Sequence, residues 1–296
     1  MPRYLLRVAY DGTDYVGWQR QASGVSIQQR LEEAATALSR EPVTVVGAGR
    51  TDAGVHAIGQ AAHFDLADPR PPDVVVKAMN ARLPDDIRVR EVRAVDDRTH
   101  ARYSATGKTY RYRWLVSATG QPLLERYAWR VAPPIDVDAM TAAARRLVGR
   151  HDFAGFQSTG TDVSDTVREL TDAAVRVLPV EAPESLGLSG DEALVELLIS
   201  GTGFLRHMVR AIAGTLTDIG RGRWPVSRID EILAVRDRSL AGPTAPAHGL
   251  TLVDVRYPQA TATTSPAAIS PAATPASRRG RLGDASAPGP AGTSGN

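Results

Sequence analysis

The sequence predicts an α+β chain: two similar α/β subdomains share a mainly antiparallel sheet, with helices packed over it. Three observations carry this expectation. Short stretches with an apolar period of two alternate with longer stretches of period 3.6, and the same succession recurs in the second half of the chain. The 296 residues, 43% of them hydrophobic and 23% charged, supply enough apolar surface for one large core or two ordinary ones.

Taken in order, Tyr4–Ala9 alternates as a strand and ends at the turn Asp11-Gly12-Thr13. Ser26–Ser39 reads as a helix, with Ser26 and Gln29 matching a capping box and Ile27, Leu31, Ala35 and Leu38 on one face. Val43–Val46 is expected to be a strand that delivers the chain to a glycine-rich segment. A short helix over Val74–Leu83 stops at Pro84, and Ile87–Val95 is another strand. In the second half, Thr109–Val116 is a strand with Tyr110, Tyr112 and Trp114 on one face and Arg111 and Arg113 on the other. A helix is expected over Val137–Val148, ended by Gly149. Strands follow at Thr166–Leu178 and Ala193–Ser200, joined by a loop around 182–190. Leu205–Ile219 carries the clearest helical pattern, Ser227 and Asp230 suggest a capping box for a last helix, and Leu250–Tyr257 closes the body as a strand. Three segments result: an N-terminal half (1–105), a C-terminal half (106–257) and an Ala/Pro/Ser-rich tail (258–296). The tail has too little large apolar surface to offset its ordering entropy and is expected to be disordered.

Composition narrows the functional classes. The absence of cysteine excludes disulfides, thiolate metal sites and a thiol nucleophile. Met1–Arg7 lacks the apolar run of a secretory leader, and no segment is long enough to span a bilayer, so a cytoplasmic location is expected. The chain carries +2, which the tail alone accounts for through Arg278, Arg279 and Arg281 against Asp284. The body is therefore formally neutral, and a nucleic-acid partner would need a local, arginine-built basic face.

The densest local signal is Gly47-Ala48-Gly49-Arg50-Thr51-Asp52-Ala53-Gly54-Val55-His56. Glycines on both sides of a carboxylate let the backbone approach a ligand closely while fixing the acid. Their spacing is not that of a dinucleotide loop, and no P-loop lysine follows. A lone Gly-Asp pair would be an ordinary turn, but the string continues through Gly59-Gln60-Ala61-Ala62-His63-Phe64. His56 and His63 fit no common zinc spacing and are expected to be core or RNA-facing residues.

This string resembles the catalytic motif of the TruA family of tRNA pseudouridine synthases. Tyr10-Asp11-Gly12-Thr13 with Gly17-Trp18-Gln19-Arg20-Gln21 is similar to the family's N-terminal signature. Leu83-Pro84-Asp85-Asp86-Ile87, His100-Ala101-Arg102-Tyr103 and Lys108-Thr109-Tyr110-Arg111-Tyr112 resemble its next blocks. Gly149-Arg150-His151-Asp152-Phe153, Gly203-Phe204-Leu205 with Met208-Val209-Arg210, and Gly242-Pro243-Thr244-Ala245-Pro246 through Gly249-Leu250 complete the series, in family order from about Tyr4 to Tyr257.

The resemblance implies the pseudouridine synthase fold and the isomerisation of uridine to pseudouridine at positions 38, 39 and 40 of the tRNA anticodon stem-loop, without cofactor or metal. It implies Asp52 as nucleophile or base, Tyr110 stacked on the uracil, Arg210 paired with Asp52 to keep it ionised and oriented, and Leu250 as an apolar wall of the base pocket. Arg50 is expected to meet a backbone phosphate. Arg20, Arg102, Arg111 and Arg113 are further candidate RNA contacts or surface ion pairs. A homodimer is implied as well. The competing reading is a catalytically silent tRNA-binding module. A hydrolase built on Asp52 and His56 lacks a triad or metal framework.

Overall fold

The computed structural model describes residues 1–39, 41–158, 160, 164–179, 188, 190 and 192–258. The tail expected over 258–296 lies outside the described residues from 259 onward, as does most of the loop expected at 182–190.

Residues 1–258 form one compact unit around a single ten-stranded sheet. Its elements are β1 (Arg3–Tyr10), α1 (Ile27–Ser39), β2 (Val46–Gly47), β3 (His56–Asp65), α2 (Pro72–Asn80), β4 (Ile87–Val95), β5 (Gly107–Val116), α3 (Pro122–Glu125), β6 (Trp129–Val131), α4 (Val137–Arg145), β7 (Gly149–Asp152), β8 (Val167–Val177), β9 (Ala193–Gly201), α5 (Met208–Gly220), α6 (Arg228–Val235) and β10 (Leu250–Arg256). The strand order is β4-β1-β3-β10-β5-β9-β8-β7, with β2 beside β3 and β6 beside β5. Pairing is antiparallel except for β10 with β3 and β6 with β5. The α+β architecture is thus as the sequence predicts. The last strand inserts at the centre and joins the β3 edge of the first half to the β5 edge of the second.

Local chemistry explains most elements. Ser26 Oγ accepts from Gln29 N at 3.2 Å to start α1, but Gln29 turns outward to Glu33, so only half of the capping box forms. Ile27, Leu31, Ala34 and Ala35 bury one face of that helix, and Pro72 opens α2 where its missing N–H costs nothing. On β5 the alternation holds: Tyr110, Tyr112 and Trp114 are buried. Trp114 Nε1 donates to Thr217 Oγ1 of α5 at 2.9 Å. The helices α2, α4 and α5 pack on β4, β8 and β5 respectively, and α1 packs on α2.

Four expected boundaries and one expected cap fail; the helix expected over Val74–Leu83 runs from Pro72 to Asn80. The strand expected at Val43–Val46 is reduced to Val46–Gly47. The helix expected from Leu205 begins at Met208, because His207 takes a left-handed conformation at φ 61°. The helix expected through Val148 stops at Arg145 and continues as a turn to Val148. Ser227 lies in the helical region itself and makes no capping bond, so the expected box with Asp230 does not form. The central strand β3 and the short strands β6 and β7 had no expectation at all.

Candidate active site

The Asp52 loop leaves β2 and is pinned peptide by peptide. Ala48 N donates to Ala61 O at 2.7 Å, and Lys108 Nζ donates to Ala48 O at 2.9 Å. Gln60 Nε2 holds Gly49 O at 2.9 Å. Trp18 N donates to Thr51 O at 3.0 Å, while the Thr51 hydroxyl meets Tyr10 Oη at 2.8 Å. Gly17, at φ +106°, makes this approach possible, since a Cβ there would stand 2.6 Å from Thr51 O. After Asp52, Val55 N bonds to Asp52 O and Gly54 turns the chain at φ +77° into β3. A carboxylate on so constrained a loop has little orientational freedom to lose when a substrate binds.

Arg210 comes to the carboxylate from α5. Its Nη1 lies 3.1 Å from Asp52 Oδ2, and its Nε donates to Ala245 O at 2.7 Å. Ala245 N in turn bonds to Arg210 O at 3.0 Å. The segment 242–245 reaches the helix because Gly214 has no side chain: a Cβ there would stand 1.8 Å from Pro243 O. Gly242 N donates to Thr215 Oγ1, and Arg238 ties Gly242 O and Thr244 from outside. Arg210 is thus fixed at both ends, in keeping with the planar geometry of a guanidinium. His207 Nε2 stands 3.3 Å from the same Asp52 oxygen.

Tyr110 is buried on β5, with its ring edge-on to Phe204 at a centroid distance of 4.9 Å. Burial first, and then the nearby Tyr10 and the Asp52 charge, push its hydroxyl well above the ordinary phenol range. It therefore remains a protonated donor at neutral pH. Leu250 begins β10 opposite Tyr112, and its successor Leu252 lies opposite Tyr110, so both leucines share the face of these tyrosines. Tyr112 Oη donates to Pro246 O at 3.0 Å and packs on Gly249, which fixes the approach to Leu250.

The structure brings Asp52 and Arg210 into direct contact and puts Tyr110 within electrostatic reach of Asp52. Arg50 lies exposed at the rim, its Nε on Gln19 Oε1 at 3.2 Å. Other arginines lie elsewhere. Arg20 pairs with Glu32 at 3.0 Å. Arg111 and Arg113, alternating with Tyr110 and Tyr112, face away from the loop and converge with Arg176 on buried Glu196. Arg102 lies over the Tyr103 ring. His56 and His63 are buried, each accepting a backbone N–H through Nδ1, from Gly12 and Ala101 respectively. Among the described residues no cluster of three or more potential metal ligands occurs. Sequence reasoning missed His207 and Lys108; neither residue type nor spacing marks His207, whereas Lys108 is one of only two lysines in the chain.

Comparison with known proteins bears on this geometry. Residues 7–104 and 143–258 match the profile of the tRNA pseudouridine synthase family, stretches that include Asp52, Arg210 and Leu250. The chain belongs to the tRNA pseudouridine synthase family. It is 44% identical over 252 residues to tRNA pseudouridine synthase A of Syntrophotalea carbinolica, covering 85% of this chain and 95% of that protein. The protein of the same name from Myxococcus xanthus is 45% identical over 257 residues, covering 87% and 92%. The Streptococcus thermophilus protein is 42% identical over 258 residues, covering 87% and 100%. A pseudouridine synthase profile over these two stretches leaves 105–142, with Lys108 and Tyr110, between them.

Proposed function

We propose that this chain isomerises uridine to pseudouridine in tRNA, with Asp52 as the carboxylate that initiates the reaction. The reading is supported by family membership and, within the fold, by one observation above all: the Asp52–Arg210 contact of 3.1 Å, made between a pinned loop and a braced helix. In the reaction the N1–C1′ bond breaks, C5 bonds to C1′, and the C5 proton is exchanged for one on N1. No electron acceptor and no activated donor is required. Asp52 acts on the nucleoside as nucleophile or base. Arg210 orients it, and Tyr110 offers a stacking face and a protonated hydroxyl to the detached uracil. Leu250 contributes an apolar wall, and the exposed guanidinium of Arg50, steadied at the rim by Gln19, meets phosphate. The N-terminal half, 1–105, contains Asp52 and Arg50, and the C-terminal half, 106–257, contains Tyr110, Arg210 and Leu250.

The proposed targets are uridines 38, 39 and 40 of the anticodon stem-loop, acted on by a cytoplasmic homodimer. A base within the stem must be extruded, at a cost of a few kcal/mol of stacking and pairing. Several neighbouring targets suit recognition of tRNA shape over sequence.

The test is tritium release from C5-labelled uridine in unmodified tRNA, with carbodiimide mapping of the product. Wild-type protein is expected to release tritium and mark the anticodon stem, and Asp52→Asn to release none. Normal release by Asp52→Asn would overturn the role of Asp52. Binding of tRNA by the wild type without release would make the protein a silent binding module.

A further inference from the structure

His207 precedes α5 in the left-handed region, at φ 61° and ψ 1°, and its carbonyl receives Ala211 N at 2.9 Å. Its imidazole Nε2 stands 3.3 Å from Asp52 Oδ2, the same oxygen that Arg210 Nη1 reaches at 3.1 Å. Two nitrogens therefore stand near Oδ2, and of the two only Arg210 Nη1 has hydrogen-bond geometry. Among the described residues no hydrogen bond is made to Oδ1. Histidine tolerates this backbone conformation better than most residues, and no glycine takes its place here.

We propose that His207 is a positioning residue: its neutral imidazole, 3.3 Å from Asp52 Oδ2, turns to donate Nε2–H to that oxygen when substrate binds, which leaves Oδ1 as the oxygen that meets the substrate. This rests on the reading of Asp52 as the reacting carboxylate. The charged groups facing the ring are Asp52 on its loop, Arg206 beside it, Arg210 on α5 and Arg238 on the turn after α6. Burial is the chief influence and lowers the imidazole pKa; Asp52 opposes it and the three arginines reinforce it, leaving it below 6.5. The ring is neutral at pH 7. On acidification it gains a full positive charge beside Asp52, which draws on the carboxylate and weakens it as nucleophile or base. Turnover then falls with an acid limb that belongs to His207.

The experiment measures single-turnover tritium release across about pH 5 to 8 for the wild type, His207→Gly and His207→Gln. Glycine accepts the backbone conformation and removes the donor. Glutamine keeps an N–H at similar reach without titrating. The glycine variant is expected to slow about tenfold, the worth of one hydrogen bond to a charged group, with tRNA affinity held. The glutamine variant recovers most of that loss, and the acid limb moves to lower pH in both. A glycine variant at the wild-type rate overturns the proposal, as does a glutamine variant that is equally slow or keeps the wild-type limb. Melting curves accompany each variant; if glycine destabilises the protein, the limb of the glutamine variant decides alone. Asp52→Asn run in parallel separates the two levels: retained turnover there removes the carboxylate assignment itself, whereas loss there with unchanged His207 variants removes only this inference.

Discussion

Lys108 shows how a single side chain can serve the site at the expense of the fold. Its ammonium donates to Ala48 O, inside the Asp52 loop, and Arg102 acts on it with a charge of like sign. Burial first, and then Arg102, bring its pKa from 10.5 down to about 8. The native value lies below the unfolded one, so the unfolded chain holds this proton more tightly. The contribution to stability accordingly improves as pH rises from about 8 toward 10.5. Lys108→Met removes a charge that burial disfavours while keeping the volume. It is expected to leave the melting temperature unchanged or raise it at pH 7, and to slow tritium release roughly three- to tenfold through a looser loop. Lower stability with full turnover would show that the lysine serves the fold alone.

At the scale of elements, the position of Arg210 depends on the close seating of the 242–245 segment on α5. Gly214→Ala would put a methyl group 1.8 Å from Pro243 O, which backbone cannot yield cheaply. The cost is expected to be about 1–3 kcal/mol or more, read as a fall in the denaturation midpoint, with turnover reduced as Ala245 and Arg210 shift together. The elements also show which features the sequence expresses. The alternation of β5 and the periodic faces of α1 and α5 are visible because each has one apolar side. Strand β3 is not, because it lies between β1 and β10 and buries eight of its ten positions, so His56–Asp65 shows no alternation. The start of α5 is set by one left-handed residue within an unbroken apolar pattern, and periodicity cannot register it. Asp52, Arg50, Tyr110, Arg210 and Leu250 could be named from motif blocks. The contact of His207 with Asp52 depends on that same backbone turn and emerges only in three dimensions. Arg111 and Arg113 were separable from the site by strand parity, and a buried Glu196 supplies the reason they stay behind the sheet.

Across the whole molecule, acid sensitivity should be concentrated in its histidines. Burial holds His56, His63, His100, His207 and His248 below their ordinary pKa, with His63 at about 4. For each of them the unfolded chain takes up a proton first as pH falls. Stability is therefore undiminished above about 6.5 and is lost progressively toward pH 4. His63 alone accounts for roughly 2–3 kcal/mol of that loss by pH 4. The denaturant midpoint is expected to drop steeply between pH 7 and 5, and His63→Gln, which can still accept from Ala101 N, should flatten the drop. An unchanged slope in that variant would assign the sensitivity to other groups.

The sheet order has a consequence for how the protein is made. Asp52 is synthesised 158 residues before Arg210, and β10, which joins the two halves, is the last strand among the described residues. At ribosomal rates of about 5–20 residues per second, the carboxylate exists for roughly ten to thirty seconds before its arginine does. During that interval the carboxylate stands without the arginine that contacts it, and a chain truncated before β10 lacks the strand that lies between β3 and β5.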